Sequence, residues 1–313
     1  MTSVMKFFFY IATIIGLLYL SGCDNTREIN KTDPHENTAL PMEHEAKIIT
    51  NSPDIDALSE SFDTTIEKII EKTEQNDAES IYLLGLINFG HITGFEREPN
   101  RARAIELLRK AWRLGIVDAG YSLFTVYYNG VVAPVNKSLA LAYLQASAEK
   151  GLIISQRDLG HAYRGADPQG LVEEDIEQAR YWFTRAAEQG DAESATQLAG
   201  IYHKGLGVER DDEAAFNWLK RAENMPFEGR MSHSGLAMCY EQGIGTEVDL
   251  VQAYKYYDLE DPAGAPDKRR LEAMMTPEQV QEAIRLSRER QEERGVFVPS
   301  YYGLEYQPDG SFK

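Results

Sequence analysis

The feature that most constrains this chain is a register of leucines that returns every three to four dozen residues. Leu84, Leu123, Leu159, Leu198 and Leu236 are separated by 39, 36, 39 and 38 residues. Four residues before each stands a small side chain: Ser80, Ala119, Ser155, Ser194 and Ser232. Four residues after each stands Asn88, Tyr127, Tyr163, Tyr202 or Tyr240. On a helix, a spacing of four places side chains above one another on one face. The small residue then permits close helix approach, and the tyrosine fills the groove beside it. Glycines end this first helix at Gly130, Gly165, Gly205 and Gly243, where a left-handed cap is the common stop. Asn136, Asp175, Asp211 and Asp249 follow as N-cap types for a second helix. Four residues into that helix come Ala140, Ala179, Ala215 and Ala253, and three further on an aromatic, Tyr143, Trp182, Trp218 or Tyr256.

Two helices per unit of 36–39 residues predict a solenoid. A single unit cannot bury its apolar face, so neighbours must stack. The string Leu-Gly-x-x-Tyr-x-x-Gly-x-Gly-Val, then Asp-x-x-x-Ala-x-x-Trp-x-x-x-Ala-Ala-Glu-x-Gly, resembles the Sel1-like repeat, a relative of the tetratricopeptide repeat. The fourth unit matches best, with Leu198, Tyr202, Gly205, Gly207, Val208, Asp211, Ala215, Trp218 and Ala222, and has Ala199 where the pattern has Gly. The third carries an insertion, Ala166-Asp167-Pro168-Gln169, and the first and fifth are degenerate, as end units of an array are. The resemblance implies an all-α fold: an α-solenoid of about five helix-turn-helix repeats over residues 78–264, with flanking helices at both ends.

Residues 51–77 are expected to hold an N-terminal cap helix, from the stripe Leu58, Phe62, Ile66, Ile69 and Ile70. A C-terminal helical segment is expected over 265–295. There Thr276-Pro277-Glu278-Gln279 has the form of a capping box and Gly295 the form of a stop. The tail 296–313 carries Phe297, Tyr301, Tyr302, Tyr306 and Phe312 and is expected to fold back along the array, since its aromatics would otherwise stay exposed.

The opening of the chain has a separate logic. Residues 7–20, FFFYIATIIGLLYL, are apolar and uncharged, with Lys6 before them. The run is short for a membrane span and suits the apolar region of a signal peptide over residues 1–22. Leu20-Ser21-Gly22-Cys23 resembles the bacterial lipobox. That resemblance implies lipidation of Cys23 after cleavage, and Asp24 resembles the inner-membrane retention signal of lipoproteins in two-membrane bacteria. The expected location is the cell envelope, facing the periplasm. Residues 23–50 are polar with two prolines and no apolar period, which predicts a flexible tether.

The formal net charge of -18 excludes a nucleic-acid partner and favours a basic one. Only Cys23 and Cys239 occur, so no disulfide framework is possible, and Cys239 reads as a small buried thiol. His91, His161, His203 and His233 sit at different repeat offsets, and none has metal-ligand spacing to a second ligand. There is no Gly-x-Ser-x-Gly elbow, and the paired glycines are repeat turns. The acids at helix starts, among them Asp211 and Asp212, are accounted for by the helix dipole. The sequence therefore points to no catalytic residues, no metal and no cofactor. Sel1-like proteins linked to β-lactam chemistry carry cysteine pairs within repeats, and this chain has none.

What remains is protein binding. Leu123, Tyr127, Leu159, Tyr163, Trp182, Leu198, Tyr202, Trp218, Leu236 and Tyr240 are assigned to repeat structure. In related arrays the first helix of each unit lines the binding face, where Tyr82, Gln156, Gln197 and His233 would lie. A lipid-tethered acidic array of this family resembles immunity proteins that bind and block phospholipase effectors of a type VI secretion system. An envelope adaptor or regulatory scaffold with a resident protein partner is the alternative.

Overall fold

The structure, a computed structural model, describes residues 39–50, 65–90, 100–130, 133–226, 233–260 and 263–302. The chain divides into two compact units, Met1–Glu36 and Asn37–Lys313, and all described residues belong to the second. Cys23 and Asp24 lie outside the described residues, as do His91, Ser232, Tyr306 and Phe312.

The described residues form thirteen α-helices and no extended ladder. Helix α1 (Ile66–Glu74) precedes five helix pairs: α2 (Ala78–Phe89) with α3 (Arg101–Arg113), α4 (Asp118–Asn129) with α5 (Lys137–Glu149), α6 (Ile153–His161) with α7 (Ile176–Glu188), α8 (Ala192–Lys204) with α9 (Asp212–Ala222), and α10 (Ser234–Gln242) with α11 (Leu250–Asp258). Helices α12 (Ala265–Glu272) and α13 (Pro277–Arg294) follow, and a short 3-10 turn covers Pro299–Tyr302. Among the described residues no helix is long and apolar enough to cross a membrane.

Local chemistry sets these boundaries. Asn100, Asn136, Asp175, Asp211 and Asp249 each accept the third amide of the second helix in their unit, at 2.8–3.0 Å. A side-chain oxygen at that place satisfies an amide that has no partner inside the helix. Gly90, Gly130, Gly205 and Gly243 end first helices in the left-handed conformation. In the third unit α6 runs on into a π turn, Ala162–Ala166, with Gly165 left-handed inside it. The inserted residues then fold back toward α4: the Tyr128 hydroxyl donates to Asp167, and the Gln169 side-chain amide donates to the Tyr128 carbonyl at 2.9 Å.

The register leucines form the spine of the core. Leu123, Leu159, Leu198 and Leu236 are all 0% exposed, and each such burial contributes about 1.5–3 kcal/mol. In units two and five the repeat tyrosine stacks on the aromatic of its own second helix: Tyr127 on Tyr143 at 6.1 Å and Tyr240 on Tyr256 at 5.8 Å. Glycine is required where the helices approach most closely. A Cβ at Gly120 would stand 2.5 Å from the Trp112 ring, and one at Gly160 would stand 2.5 Å from Phe183.

At the N-terminal flank, α1 opens at the Thr65 cap with Ile69 buried and Ile66 and Ile70 packed on the core. Leu58 and Phe62 lie outside the described residues. The C-terminal flank is two helices rather than one. Helix α13 begins at the Thr276 capping box, where the Gln279 amide donates to the Thr276 hydroxyl at 3.3 Å and the Thr276 amide to the Gln279 side chain at 2.9 Å. Buried Asp258 ties this flank to α11, accepting from Lys268 of α12 and Ser287 of α13, each at 2.7 Å. Arg290 and Arg294 reach from α13 to the Glu223 carbonyl at the end of α9. The described part of the tail folds back on α13 itself, through Val298 to Gln291 and Tyr301 to Glu292.

The segment 23–50, expected as a flexible tether, differs over its last dozen residues. Residues 39–50 lie as an extended strap along the end of α3 and the start of α4. The Glu43 amide donates to the Arg113 carbonyl and the Lys47 amide to the Gly115 carbonyl, each at 2.7 Å, and the Val117 amide donates to the Lys47 carbonyl at 2.9 Å. Lys47 and Ile116 form an isolated parallel bridge. Leu40, Met42 and Ile49 pack on the main core, while Met42 and Ile48 pack on a small cluster of Val117, Leu152 and Ile154. The physical reason is that a strap needs only backbone bonds and a few apolar anchors, and these leave no helical period in a polar sequence.

Candidate functional site

The first helices carry a row of buried and half-buried polar side chains that joins consecutive units. The Tyr82 hydroxyl of α2 lies 3.3 Å from the Ser122 hydroxyl of α4. From α4, Tyr121 donates to Asp158 of α6 at 2.8 Å. From α6, the Arg157 guanidinium stands 3.4 Å from both Asp191 and Glu193, and His161 lies 3.1 Å from Glu193 of α8. Arg164, just past α6, donates to Gln197 of α8. Bonds between long side chains of adjacent first helices fix this face in one arrangement.

The electrostatics of the row centre on Arg157. Burial alone would weaken its charge, but Asp158, Glu193 and Asp191 surround it and the net effect holds its pKa above the ordinary value. Asp158 moves the other way. Its burial outweighs the nearby Arg157 and His161 and raises its carboxyl above the usual range. Asp191 is fully buried and also caps α8, accepting the Ser194 amide at 3.0 Å. The cluster is a structural joint between units three and four with its acids already matched by a cation.

Of the four side chains expected on this face, two are inside. Tyr82 is buried, and so is Gln156, which donates to the Ala148 carbonyl and accepts from Gln189. Gln197 and His233 are half-buried; His233 stacks on Tyr256 and lies 3.7 Å from Glu260. His161, His203 and His233 each form an ion-pair contact with a carboxylate, Glu193, Asp212 and Glu260 respectively. Among the described residues no group of three or more His, Cys, Asp or Glu is placed to hold a metal ion. Cys239 is a buried free thiol, pushed up to about 11 by burial and by Asp212.

The repeat positions assigned from sequence divide between core and groove. Leu123, Tyr127, Leu159, Trp182, Leu198 and Leu236 are buried, whereas Tyr163, Tyr202, Trp218 and Tyr240 are half-buried and pack on core clusters. An arginine also stands over each of the two tryptophan rings. Arg185 lies 5.4 Å from the Trp182 ring centre, and Arg221 lies 4.1 Å from that of Trp218.

A second surface lies where second helices end. Between units three and four an open groove of about 730 Å3 is lined by Glu188, Gly190, Asn217, Arg221, Asn224 and Pro226, among others. Sequence reading missed both this groove and the strap. The only signal for the strap was the alternation Leu40-Pro41-Met42 and the pair Ile48-Ile49, set in a polar stretch.

Comparison with known proteins agrees with this geometry. The profile described as Sel1 repeat matches residues 78–116, 117–152, 153–191, 192–225 and 231–259, together more than half of the chain. These segments divide at the same turns as the helix pairs. The chitin synthase regulator SKT5 of Saccharomyces cerevisiae is 30% identical over 204 residues, covering 62% of this chain and 28% of the relative. A protective antigen of uropathogenic Escherichia coli with an SLR fold superposes with a TM-score of 0.60 at 27% identity, over 75% of this chain and 49% of that one. A Sel1 repeat protein from Oxalobacter formigenes has a TM-score of 0.54 at 20% identity, over 68% of this chain and 86% of that one, a likeness of fold. The chain spans less than half the length of the curated relatives it matches.

Proposed function

This chain belongs to the Sel1 repeat family, and we propose that it is a membrane-anchored scaffold whose repeat array binds and restrains one protein partner. The observation that carries the reading is the polar row from Tyr121 to Gln197, held by bonds between successive units before any partner arrives. A surface ordered in advance loses little conformational freedom on binding, and stacked repeats offer an extended face for it.

The anchor rests on the apolar run 7–20 and on Leu20-Ser21-Gly22-Cys23. Acylation of Cys23 would hold the array at the membrane, with Asp24 favouring the inner membrane and the array facing the periplasm. Each buried methylene contributes about 0.8 kcal/mol, so more than one acyl chain makes the attachment lasting. The sharpest form of the proposal is an immunity protein. Tethering concentrates the inhibitor at the surface that a phospholipase effector attacks, and a preformed face can cover an active-site mouth without chemistry. A second reading, a regulatory scaffold for a resident envelope protein, is favoured by the yeast relative, which is named as a regulator of chitin synthase.

Two measurements test these parts separately. Metabolic labelling with an alkyne fatty acid should mark the chain and fail on Cys23→Ala; a label that persists refutes the anchor. Crosslinked capture from envelopes, with and without a phospholipase effector delivered by type VI secretion, tests the partner. A stoichiometric complex with loss of lipase activity supports immunity, and capture of a resident envelope protein with lipase activity unchanged supports the regulatory scaffold.

A further inference from the structure

The loop that closes a first helix lies on the start of the previous unit's second helix, and the corner between them is not filled alike along the array. Between units two and three the chain fills it with its own insertion. The Tyr128 hydroxyl donates to Asp167, the Lys137 ammonium donates to the Gln169 carbonyl, and Leu171 packs on the main core. Between units four and five, Asp212 at the start of α9 is held by His203 and Arg210, each at 2.7 Å. Gly245 lies directly against the Asp212 carbonyl and leaves no room there for a Cβ.

The corresponding corner between units three and four has neither device. Repeat register maps Tyr128 and Lys137, and likewise His203 and Asp212, onto Arg164 and Ile176. The loop of unit four carries no insertion, and Leu206 within it is 37% exposed. On α8, Gly200 stands at the register position of His161 and Met238, and nothing lies within 4 Å of where its Cβ would be. The result is a pocket of about 250 Å3, apolar at Ile176, Ile201 and Leu206 and charged at Arg164, Lys204 and Glu174. Glu174 lies against the Gly165 turn. Arg164 also donates to Gln197 at the end of the polar row, so the pocket continues that face. Lys204 is exposed and makes no hydrogen bond or ion pair among the described residues.

We propose that this pocket anchors a segment of the partner protein in which one leucine-sized apolar side chain stands close to a carboxylate. The apolar side chain enters beside Gly200, and the carboxylate meets Lys204. Three observations favour that occupant. The chain fills the equivalent corner of units two and three with a segment of this kind, Asp167 to Leu171, so the repeat is built to accept one. The volume holds one large side chain with the backbone that carries it, and interfaces draw most of their energy from a few such anchors. The charged lining has two cations against one acid, and the unpaired cation is Lys204.

The inference rests on the protein-binding reading, and its test separates the two. The probe is a displayed library of random twelve-residue peptides, selected against the full-length chain in detergent. Selected peptides should be enriched, over the starting library, in Leu, Ile, Met or Phe within four residues of Asp or Glu. They should slow amide exchange over 172–176 and 204–208. Affinity should fall at least about tenfold in Gly200→Leu, which fills the pocket, and in Lys204→Glu, which reverses the charge. Position 200 has open space and Lys204 is exposed, so neither variant should lower the melting temperature. Peptides that bind both variants normally overturn this inference and leave the protein-binding reading standing. A library that yields no binder overturns this inference as well, and the envelope capture then decides the protein-binding reading by itself. Binding only after removal of residues 303–313 assigns the pocket to the chain's own tail, and a dimer dissociated by Gly200→Leu assigns it to a second copy; either result overturns the proposal.

Discussion

The Ile49 amide donates to the Asp118 carboxylate at 2.8 Å, and the Thr50 amide donates to the same side chain at 3.2 Å. Asp118 opens α4, so one acid at the start of the second unit holds the end of the strap. Burial raises its carboxyl above the usual range, against the pull of those amides. Asp118→Ala removes both bonds and leaves the rest of α4 intact. Unfolding free energy should fall by about 1–3 kcal/mol, and amide exchange should accelerate at residues 43–50 while the turns of units three and four keep their protection. Uniform acceleration across the array would contradict the assignment of Asp118 to the strap.

Arg157 makes the opposite kind of contact, a buried cation among acids. It faces Asp191 and Glu193 at 3.4 Å, and Asp191 has no exposed surface. Arg157→Met preserves bulk and strands those carboxylates, at a cost of about 3–5 kcal/mol. Adding Glu193→Gln should recover part of the loss, because neighbours in one charge network do not act independently. Urea unfolding of the two variants checks this. A loss for Arg157→Met no greater than that of an exposed arginine, such as Arg221→Met, would remove the cluster as a joint between units.

The sequence made the array legible because its signals are local and repeated. Asn136, Asp175, Asp211 and Asp249 mark helix starts, and Leu123, Leu159, Leu198 and Leu236 mark the core, at offsets that confirm one another. The strap was not legible, since its contacts with Arg113, Gly115 and Val117 are made by backbone atoms of residues some seventy positions away. Backbone bonds leave no mark in residue type. The polar face was half legible. Gln197 falls on it, but Gln156 turned inward because the Ala148 carbonyl and the Gln189 amide satisfy its side chain there. Arg157 was missed for a related reason: only the fold brings Asp191 and Glu193 to it.

Glu223 should make stability depend on acid pH in a way that can be isolated. Burial would raise this carboxyl, but the Lys220 ammonium at 2.6 Å, the Tyr256 hydroxyl at 3.0 Å and the field of Lys255 outweigh burial and hold it below the usual range. The folded chain therefore binds fewer protons than the unfolded chain just below the ordinary glutamate value. Stability from Glu223 is fully present above about pH 4.5 and is lost as pH falls through the depressed folded value. Asp158, with its raised carboxyl, contributes with the opposite sign in that range. Glu223→Gln should lower the melting temperature at pH 7 by more than it does near pH 4. A difference between parent and variant that stays constant from pH 7 to pH 4 would contradict the coupling.

Two helical glycines should respond to the same substitution with opposite signs. A Cβ at Gly120 would stand 2.5 Å from the Trp112 ring and 3.2 Å from Ser147, in a place where three helices meet. The ring is held by a T-shaped contact with Tyr143 at 5.7 Å and cannot swing aside without disturbing the second unit. Gly120→Ala should therefore destabilise by about 1–3 kcal/mol, the usual effect of overpacking. Gly200 lies inside α8, and a Cβ there meets nothing within 4 Å. Gly200→Ala adds no clash and reduces the freedom of the unfolded chain, a gain of about 0.5–1 kcal/mol. Thermal unfolding of the two variants side by side checks the packing between units as well as the helix itself. If both alanines stabilise, α4 does not pack on Trp112 as closely as the repeat register requires; if both destabilise, a Cβ at position 200 meets a neighbour and the open space beside Gly200 is wrong.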